Sequence, residues 1–221
     1  MVSTGSSPAS VPNREPARRR LPASERRVLI LDAALRTFAA NGYEGAAMDE
    51  IAAAAGVSKA VVYDHVASKR DLYTQLLHAI SDQIQRTVEE ALRPPGVDGE
   101  QRVQAAAKAI YRYVEEHPEA CRLLVLELQG ANVSSIGREL EQRMSVAVAT
   151  TLGTDRRLFD DHPNRELQLT ILAELLKSAV LGLAAWWYRH SEAARDDLVE
   201  RTVALVWPAI ERARAHDAAS A

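Results

Sequence analysis

The chain is poor in cysteine: Cys121 is the single thiol among its 221 residues. One thiol excludes an internal disulfide, so the sequence favours a reducing compartment and Cys121 is interpreted as a small buried side chain. Long hydrophobic runs are also scarce. The most apolar stretch, residues 179–188, is shorter than the ~20 residues that cross a bilayer core. We expect a soluble, cytoplasmic protein.

Patterns of catalysis and metal binding are missing too. The sequence has no Gly-x-Ser-x-Gly elbow, no phosphate-binding glycine loop and no His/Cys pairing at metal-ligand spacing. Asp160-Asp161-His162 is the nearest approach to a metal cluster, and before a proline in a polar stretch it is interpreted as a solvated turn. The sequence therefore predicts a protein that is not an enzyme and has neither a cofactor nor a metal site.

Charge is unevenly distributed along a chain whose net charge is only −3. Residues 1–70 carry ten Lys/Arg against seven Asp/Glu, whereas the remainder carries 17 against 23. Residues 1–23 are rich in Ser, Pro and Arg and are predicted to form a disordered basic arm. Its arginines, Arg14 and Arg18 to Arg20, either enter a minor groove or belong to a solubilising tail. If the chain binds nucleic acid and deletion of residues 1–20 leaves the salt dependence of that binding unchanged, the first alternative is excluded.

Residues 42–69 have the pattern of a helix-turn-helix. A short helix from about Met48 to Ala55 is followed by Gly56, which can adopt the left-handed conformation that ends a helix. Val57 then turns inward, and Ser58 is a suitable N-cap for the next helix. Two helices joined at a steep angle by so short a turn are typical of a DNA-reading unit.

This segment resembles the TetR family of transcriptional regulators. The resemblance extends upstream to Ile30, Ala34 and Phe38 and to the exit Asn41-Gly42-Tyr43. It continues through a set of residues in the second, third and fourth helices: Ile51-Ala52, Ala55-Gly56-Val57-Ser58, Tyr63, His65 and Ser68-Lys69. It implies an all-α fold, with a three-helix DNA-binding domain at residues 24–70 and a helical ligand-binding and dimerisation domain at residues 71–221.

The helix Lys59–His65 is predicted to read the major groove. Its groove-facing positions are Lys59, Ala60, Val61 and Asp64; Lys59 contacts either a guanine edge or a phosphate, and Ala60 and Val61 pack against thymine methyl groups. Val62 is expected in the core.

The resemblance further implies that Tyr63, His65 and Lys69 contact phosphates. Surface or packing roles stay open for His65 and Lys69. The chain departs from the family pattern at Ala46-Ala47, where a hydroxyl pair usually caps the second helix, so a backbone N–H at Ala47 is the expected substitute.

The periodicity of the remaining sequence predicts about nine helices and no strand. Expected N-caps are Ser24, Ser68, Asp98, Asn164 and Ser191. The eighth helix, from Leu167 to Trp187, is apolar on nearly every face and is expected to be buried on more than one side. Pro208 is expected to kink or end the regular part of the ninth.

Two functional surfaces are expected in the body. An apolar pocket, or alternatively an ordinary core, is predicted from Tyr111, Tyr113, Leu124, Glu127, Met144, Leu176, Trp186 and Trp187. A four-helix interface with a second copy is predicted from Leu172, Leu175, Ala179, Val203 and Trp207.

Together these features predict a ligand-responsive DNA-binding transcriptional regulator. It is expected to bind a near-palindromic operator as a homodimer and to be released by a small apolar or aromatic effector. Repression is expected because it is the usual mode of the family that the chain resembles. The alternative is a DNA-binding protein of the same fold whose body recruits a protein partner and senses no small molecule.

Overall fold

The computed structural model describes residues 22–93, 98–129, 135–159, 162–190 and 192–215, in which all regular structure is helical. These residues form nine α-helices: α1 Ala23–Gly45, α2 Met48–Ala54, α3 Lys59–Tyr63, α4 Lys69–Leu92, α5 Gly99–Glu116, α6 Pro118–Gln129, α7 Ser135–Gly153, α8 Arg165–Arg189 and α9 Arg195–Ala215. The predicted all-α fold is confirmed. Residues 1–21 of the predicted basic arm and the Ser191 cap lie outside the described residues, and Ala23, predicted to belong to the arm, is the first residue of α1.

The first three helices form a small unit on the start of α4. Helix α1 packs against α2 and α4, and α2 packs against α3. Phe38 is fully buried there, with ring centroids 5.0 Å from Tyr73 of α4 and 6.1 Å from Tyr43. Tyr43 and Tyr73 are themselves 5.0 Å apart. This aromatic group joins the helix-turn-helix unit to the long helix that leads into the body.

The body pairs α5 with α4 and α9, and α7 with α8, while α6 lies against α1 and α8. One apolar core runs from Ile30 in α1 to Val199 in α9 without interruption. A second, smaller cluster of Leu158, Leu169 and Ile210 lies where α8 and α9 meet the loop after α7. Helix α6 of the body is therefore in direct contact with α1 of the three-helix unit.

Most predicted helix ends agree with the structure. Gly42 has φ 70° inside the range of α1, so the regular part of that helix ends at the expected Asn41-Gly42. Ser68 accepts a hydrogen bond from the Asp71 N–H at 3.1 Å, and Asp98 and Gln101 form a reciprocal capping box. These ends follow from local side-chain chemistry, which the sequence displays directly.

Three expectations for helix ends are corrected or refined. Ser24 does not cap α1, because the helix begins at Ala23 and Pro22 is the N-cap residue. Asn164 stands at the N-cap of α8, but its side chain makes no capping hydrogen bond. Helix α9 continues through Pro208 to Ala215, so the helix does not end at the proline.

Helix α8 differs most from its prediction. It is not buried on several sides, because Leu167, Ile171, Leu175 and Trp186 on one face are exposed. The helix as a whole is also longer than the apolar run at residues 179–188: an 18-residue window in it has mean hydropathy 1.6, enough by length and composition to span a membrane. In this fold α8 instead packs against α6 and α7 and contains the buried Lys177.

Candidate nucleic-acid interface and effector body

The turn between α2 and α3 is closed by the residues that the sequence predicted. Gly56 has φ 68°, and the Val57 N–H donates to the Ala52 carbonyl at 3.0 Å, as in a Schellman helix end. Ser58 Oγ then accepts from the Val61 N–H at 3.3 Å and starts α3. The backbone therefore fixes the angle at which α3 leaves α2.

Helix α3 is held from one side only. Val62 is fully buried and Val66, just beyond the helix, is buried as well, which confirms the expected core role of Val62. Lys59, Ala60, Tyr63 and Asp64 are exposed, whereas Val61 and His65 are half-buried. The regular helix ends at Tyr63, with Asp64 as its C-cap residue, so His65 lies in the following turn. An anchored helix with an exposed outer face is the geometry that a major groove accepts.

Lys59, the first residue of that face, is paired within the protein. Its Nζ lies 3.0 Å from Asp49 Oδ2 in the first turn of α2. The hydrogen bond that Lys59 donates to this carboxylate raises the pKa of Lys59, and the negative charge of Asp49 raises it further. In the free protein Lys59 is therefore already paired with a carboxylate.

Lys69 and Arg70 also have partners in the free protein. Lys69 Nζ donates to the Glu44 carbonyl at 3.0 Å and lies 4.9 Å from the centre of the Tyr43 ring. Arg70 donates to Ser135 Oγ at 2.8 Å, at the start of α7. The Lys69 ammonium group has three donors and the Glu44 carbonyl accepts one of them, so a phosphate oxygen can accept another in a charge-assisted hydrogen bond.

His65 and the Ala47 N–H are less available to a phosphate than the sequence suggested. The Nε2 atom of His65 is buried and has no hydrogen-bond partner among the described residues, so it reaches a phosphate only if the ring turns outward. The Ala47 N–H, expected to face a phosphate, donates at 3.4 Å to Glu50, which also accepts from Asn41 at 3.3 Å. A carboxylate thus stands at the N-terminus of α2.

The charge surplus of the DNA-binding region is carried by the arm. Residues 22–70 contain six Lys/Arg and six Asp/Glu, so the folded unit is neutral. The surplus of +3 over residues 1–70 comes entirely from residues 1–21. Sequence-independent attraction to phosphate therefore depends on those arginines and on how the few folded cations are paired.

The predicted pocket residues divide into two groups. Tyr111, Tyr113, Leu124 and Trp187 are buried together in the main core. Tyr111 Oη lies 2.8 Å from Thr202 Oγ1 of α9, and its ring meets Trp187 edge-on with centroids 6.0 Å apart. Burial raises the pKa of Tyr111.

The other four predicted pocket residues lie elsewhere. Glu127 accepts a hydrogen bond from Tyr73 Oη at 3.2 Å, and Met144 lies at the edge of the main core. Leu176 packs on the second cluster. Trp186 is exposed and stacks on His190 with ring centroids 4.5 Å apart. The sequence did not show which of the eight residues lie in the main core, in the second cluster or on the surface, because that depends on how the helices pack against one another.

A cleft of about 450 Å³ opens between α5 and α9. None of the predicted pocket residues lines it. Its walls are mainly polar and comprise Glu100, Gln104, Lys108, Asp196, Val199, Glu200, Val203 and Ala204. In the part of the chain that the structure describes, no group of three His, Cys, Asp or Glu side chains is suited to a metal ion. Asp160 and Asp161 lie outside the described residues.

The residues predicted for the dimer interface also differ in their exposure. Leu175 and Ala179 are exposed on α8, Leu172 is buried, and Val203 and Trp207 are half-buried against the two cores. The sequence analysis did not predict that Leu167, Ile171 and Trp186 share the exposed face of Leu175, or that Leu205 is exposed on α9. The spacing of four between Leu167, Ile171 and Leu175 was the available signal.

Comparison with known proteins gives the family. Residues 30–76 match the family model of bacterial regulatory proteins of the tetR family. The chain is 34% identical over 193 residues to the HTH-type transcriptional activator FasR of Mycolicibacterium smegmatis, covering 85% of this chain and 84% of FasR. The chain belongs to the TetR family. This TetR-family protein is therefore a DNA-binding transcriptional regulator and not an enzyme.

Two further comparisons extend over most of the TetR-family chain. It is 25% identical over 189 residues to the HTH-type transcriptional repressor KstR of Rhodococcus jostii, covering 82% of each chain. Its fold resembles that of the transcriptional regulator FadR from Bacillus subtilis in complex with stearoyl-CoA, with a TM-score of 0.67 and 16% identity over 81% of this chain and 96% of FadR. This structural likeness supports the fold.

Proposed function

We propose that this regulator binds a near-palindromic operator as a homodimer and is released from it by a small apolar or aromatic effector. Lys59, Ala60, Val61, Tyr63, Asp64 and His65 of α3 and its following turn are the proposed groove contacts, with Lys69 and the Ala47 backbone on phosphates. The carrying observation is that α3 is capped by Ser58 and anchored by buried Val62 while its outer face is open. We assign residues 24–70 to DNA binding and residues 71–221 to the effector and dimer domain.

Binding-site selection tests the DNA function. The purified full-length chain is mixed with a pool of random duplexes, and retained sequences are read after several rounds. We expect a motif with two inverted half-sites centred roughly 34 to 36 Å apart, or a multiple of that distance. Recovery of random sequence would contradict the proposal.

The exposed face of α8 supports the homodimer. Apolar side chains on one face of a helix are a surface that a second copy with the same face buries symmetrically. Leu175 is 64% exposed at its centre. Val28 on α1 is 66% exposed and provides a matched control outside this face.

Sedimentation of Leu175→Asp and Val28→Asp tests the interface. An aspartate buried in an apolar interface is costly, whereas one in water is not. We expect Leu175→Asp to sediment as a monomer and to lose operator affinity, and Val28→Asp to sediment as the unmodified chain does. Equal behaviour of the two variants would place the dimer contact elsewhere.

The effector is proposed to enter the apolar body near the Tyr111–Thr202 and Tyr73–Glu127 contacts. These buried or half-buried hydroxyls offer polar groups to orient a mainly apolar molecule. Stearoyl-CoA, which the B. subtilis FadR structure contains, is the first compound to test, with coenzyme A and stearate as controls. A thermal shift with stearoyl-CoA, together with altered operator affinity, supports the assignment.

The same assays address the alternative of a protein-recruiting body. A metabolite panel that shifts neither melting temperature nor operator affinity, combined with specific capture of a protein from lysate, would favour that alternative. The direction of control is proposed to be repression, as expected from the sequence, and a reporter assay determines it. FasR is named an activator and KstR a repressor, so relatives of this chain include both.

A further inference from the structure

The ion pair between Lys59 and Asp49 joins the groove-facing helix to the first turn of α2. Lys59 Nζ and Asp49 Oδ2 are 3.0 Å apart, and their side chains are 51% and 71% exposed. Both groups therefore stand on the surface that includes the outer face of α3. The pair lies within a folded unit whose cations and carboxylates are equal in number.

A lysine held in this way responds differently to a base and to a phosphate. The ammonium group has three donors, and Asp49 needs one of them, so a guanine O6/N7 edge can accept another while the ion pair persists. A phosphate is itself an anion. It must compete with the carboxylate for the ammonium group and is repelled by the carboxylate as it approaches.

We propose that Asp49 is a specificity-determining residue that acts through Lys59, by suppressing the use of this lysine on phosphate while leaving it available to a base edge. Asp49 is thus a positioning residue, and the consequence concerns the ratio of operator to non-operator affinity. This inference rests on the proposed function, because it requires α3 to meet the duplex.

The chain offers a matched control for charge alone. Asp32 pairs with Arg36 one turn further along α1, and these side chains are 52% and 50% exposed. Asp32→Asn therefore removes the same charge from the same folded unit as Asp49→Asn. It leaves Lys59 and its partner intact.

The test measures the affinity of the full-length variants for the selected operator and for a random duplex over a range of salt. We expect Asp49→Asn to bind the random duplex roughly 3-fold more tightly. Its salt slope should be steeper by about 0.9, the value for one additional phosphate contact. Operator affinity should change less, so the specificity ratio falls. Asp32→Asn should leave this ratio unchanged, and thermal unfolding verifies that each variant is folded.

The decisive comparison introduces Asp49→Asn into a chain that already carries Lys59→Gln. If Asp49 acts through Lys59, the effect of Asp49→Asn on the random duplex disappears when Lys59 is absent. An effect that persists in Lys59→Gln, or one equalled by Asp32→Asn, overturns the inference because either result reflects general charge repulsion. An unmodified chain that binds no duplex selectively refutes the proposed function instead, so the two failures are distinguishable.

Discussion

The DNA-binding unit and the body distribute polar and apolar side chains differently. Among the described residues, the buried polar side chains Ser81, Ser145, Lys177 and Thr202 all follow residue 70. Four of the exposed large apolar side chains of the body share one face of α8, namely Leu167, Ile171, Leu175 and Trp186, whereas those of the DNA-binding unit, Val28, Leu29 and Tyr63, lie on two different helices. In the part of the DNA-binding unit that the structure describes, the buried side chains are all apolar. The body buries polar groups and gathers exposed apolar side chains on one helix face, which is the arrangement that the proposed homodimer requires.

Trp186 and Trp187, which are neighbours on α8, provide the strongest test of this burial pattern in the body. Trp187 is 7% exposed and donates from Nε1 to the Ala193 carbonyl at 2.9 Å, whereas Trp186 is 40% exposed. We expect Trp187→Ala to lower the free energy of unfolding by about 3 to 5 kcal/mol. Trp186→Ala should lower the free energy of unfolding much less, when urea unfolding is measured on the monomeric chain. Equal losses would show that the exposed face of α8 is not a free surface in one copy.

The buried polar contact between α5 and α9 gives the next largest effect. Tyr111→Phe leaves the Thr202 hydroxyl buried without its partner, which should cost about 1 to 3 kcal/mol of unfolding free energy. The double variant Tyr111→Phe/Thr202→Val removes both polar groups and should recover part of that loss. Chemical denaturation of Tyr111→Phe, of Thr202→Val and of the double variant gives the coupling free energy between the two hydroxyl groups. Strict additivity would mean that the two hydroxyls contribute independently.

Sequence reasoning succeeded where a local rule determines the structure. Gly56, Ser58, Ser68 and Asp98 act within a few residues of themselves, so their roles could be predicted from neighbouring residues. Trp186 and Trp187 could not be separated, because which side of α8 faces the bundle depends on how α6 and α7 pack against it. The pairing of Lys59 with Asp49, ten residues away, likewise required the angle between α2 and α3.

Glycine-to-alanine substitutions compare the effect of one added Cβ atom on the stability of the two regions. Gly56 has φ 68° in the turn of the DNA-binding unit, whereas Gly182 lies within α8, and an added Cβ meets nothing within 4 Å at either site. Gly56→Ala should therefore destabilise the fold by about 1 to 2 kcal/mol through backbone strain alone. Gly182→Ala should stabilise the dissociated chain by about 0.5 to 1 kcal/mol. Thermal unfolding at low protein concentration measures both, and shifts of the same sign would contradict this explanation.

The smallest effect concerns the buried lysine of the body. Lys177 Nζ lies 2.8 Å from Glu174 Oε2, 3.5 Å from Glu141 Oε1 and 2.7 Å from Ser145 Oγ. The hydrogen bond with Lys177, and then that with Ser145, lower the pKa of Glu174 from its usual 4.5. A carboxyl whose pKa is lower in the folded state stabilises the fold above the unfolded-state pKa. That stabilisation is lost as the pH falls through the folded-state value.

Glu174→Gln should therefore weaken the fold at pH 7 and leave it unchanged near pH 2. Because the Glu174 side chain is 45% exposed, solvent screening limits the loss to about 0.2 to 1 kcal/mol. Glu200→Gln on α9 removes a carboxylate of the same charge from an exposed position as a control. Denaturation curves between pH 2 and pH 7 should show a shallower acid slope for Glu174→Gln alone. Parallel curves for both variants would mean that the lysine is held by Glu141 and Ser145 without help from Glu174.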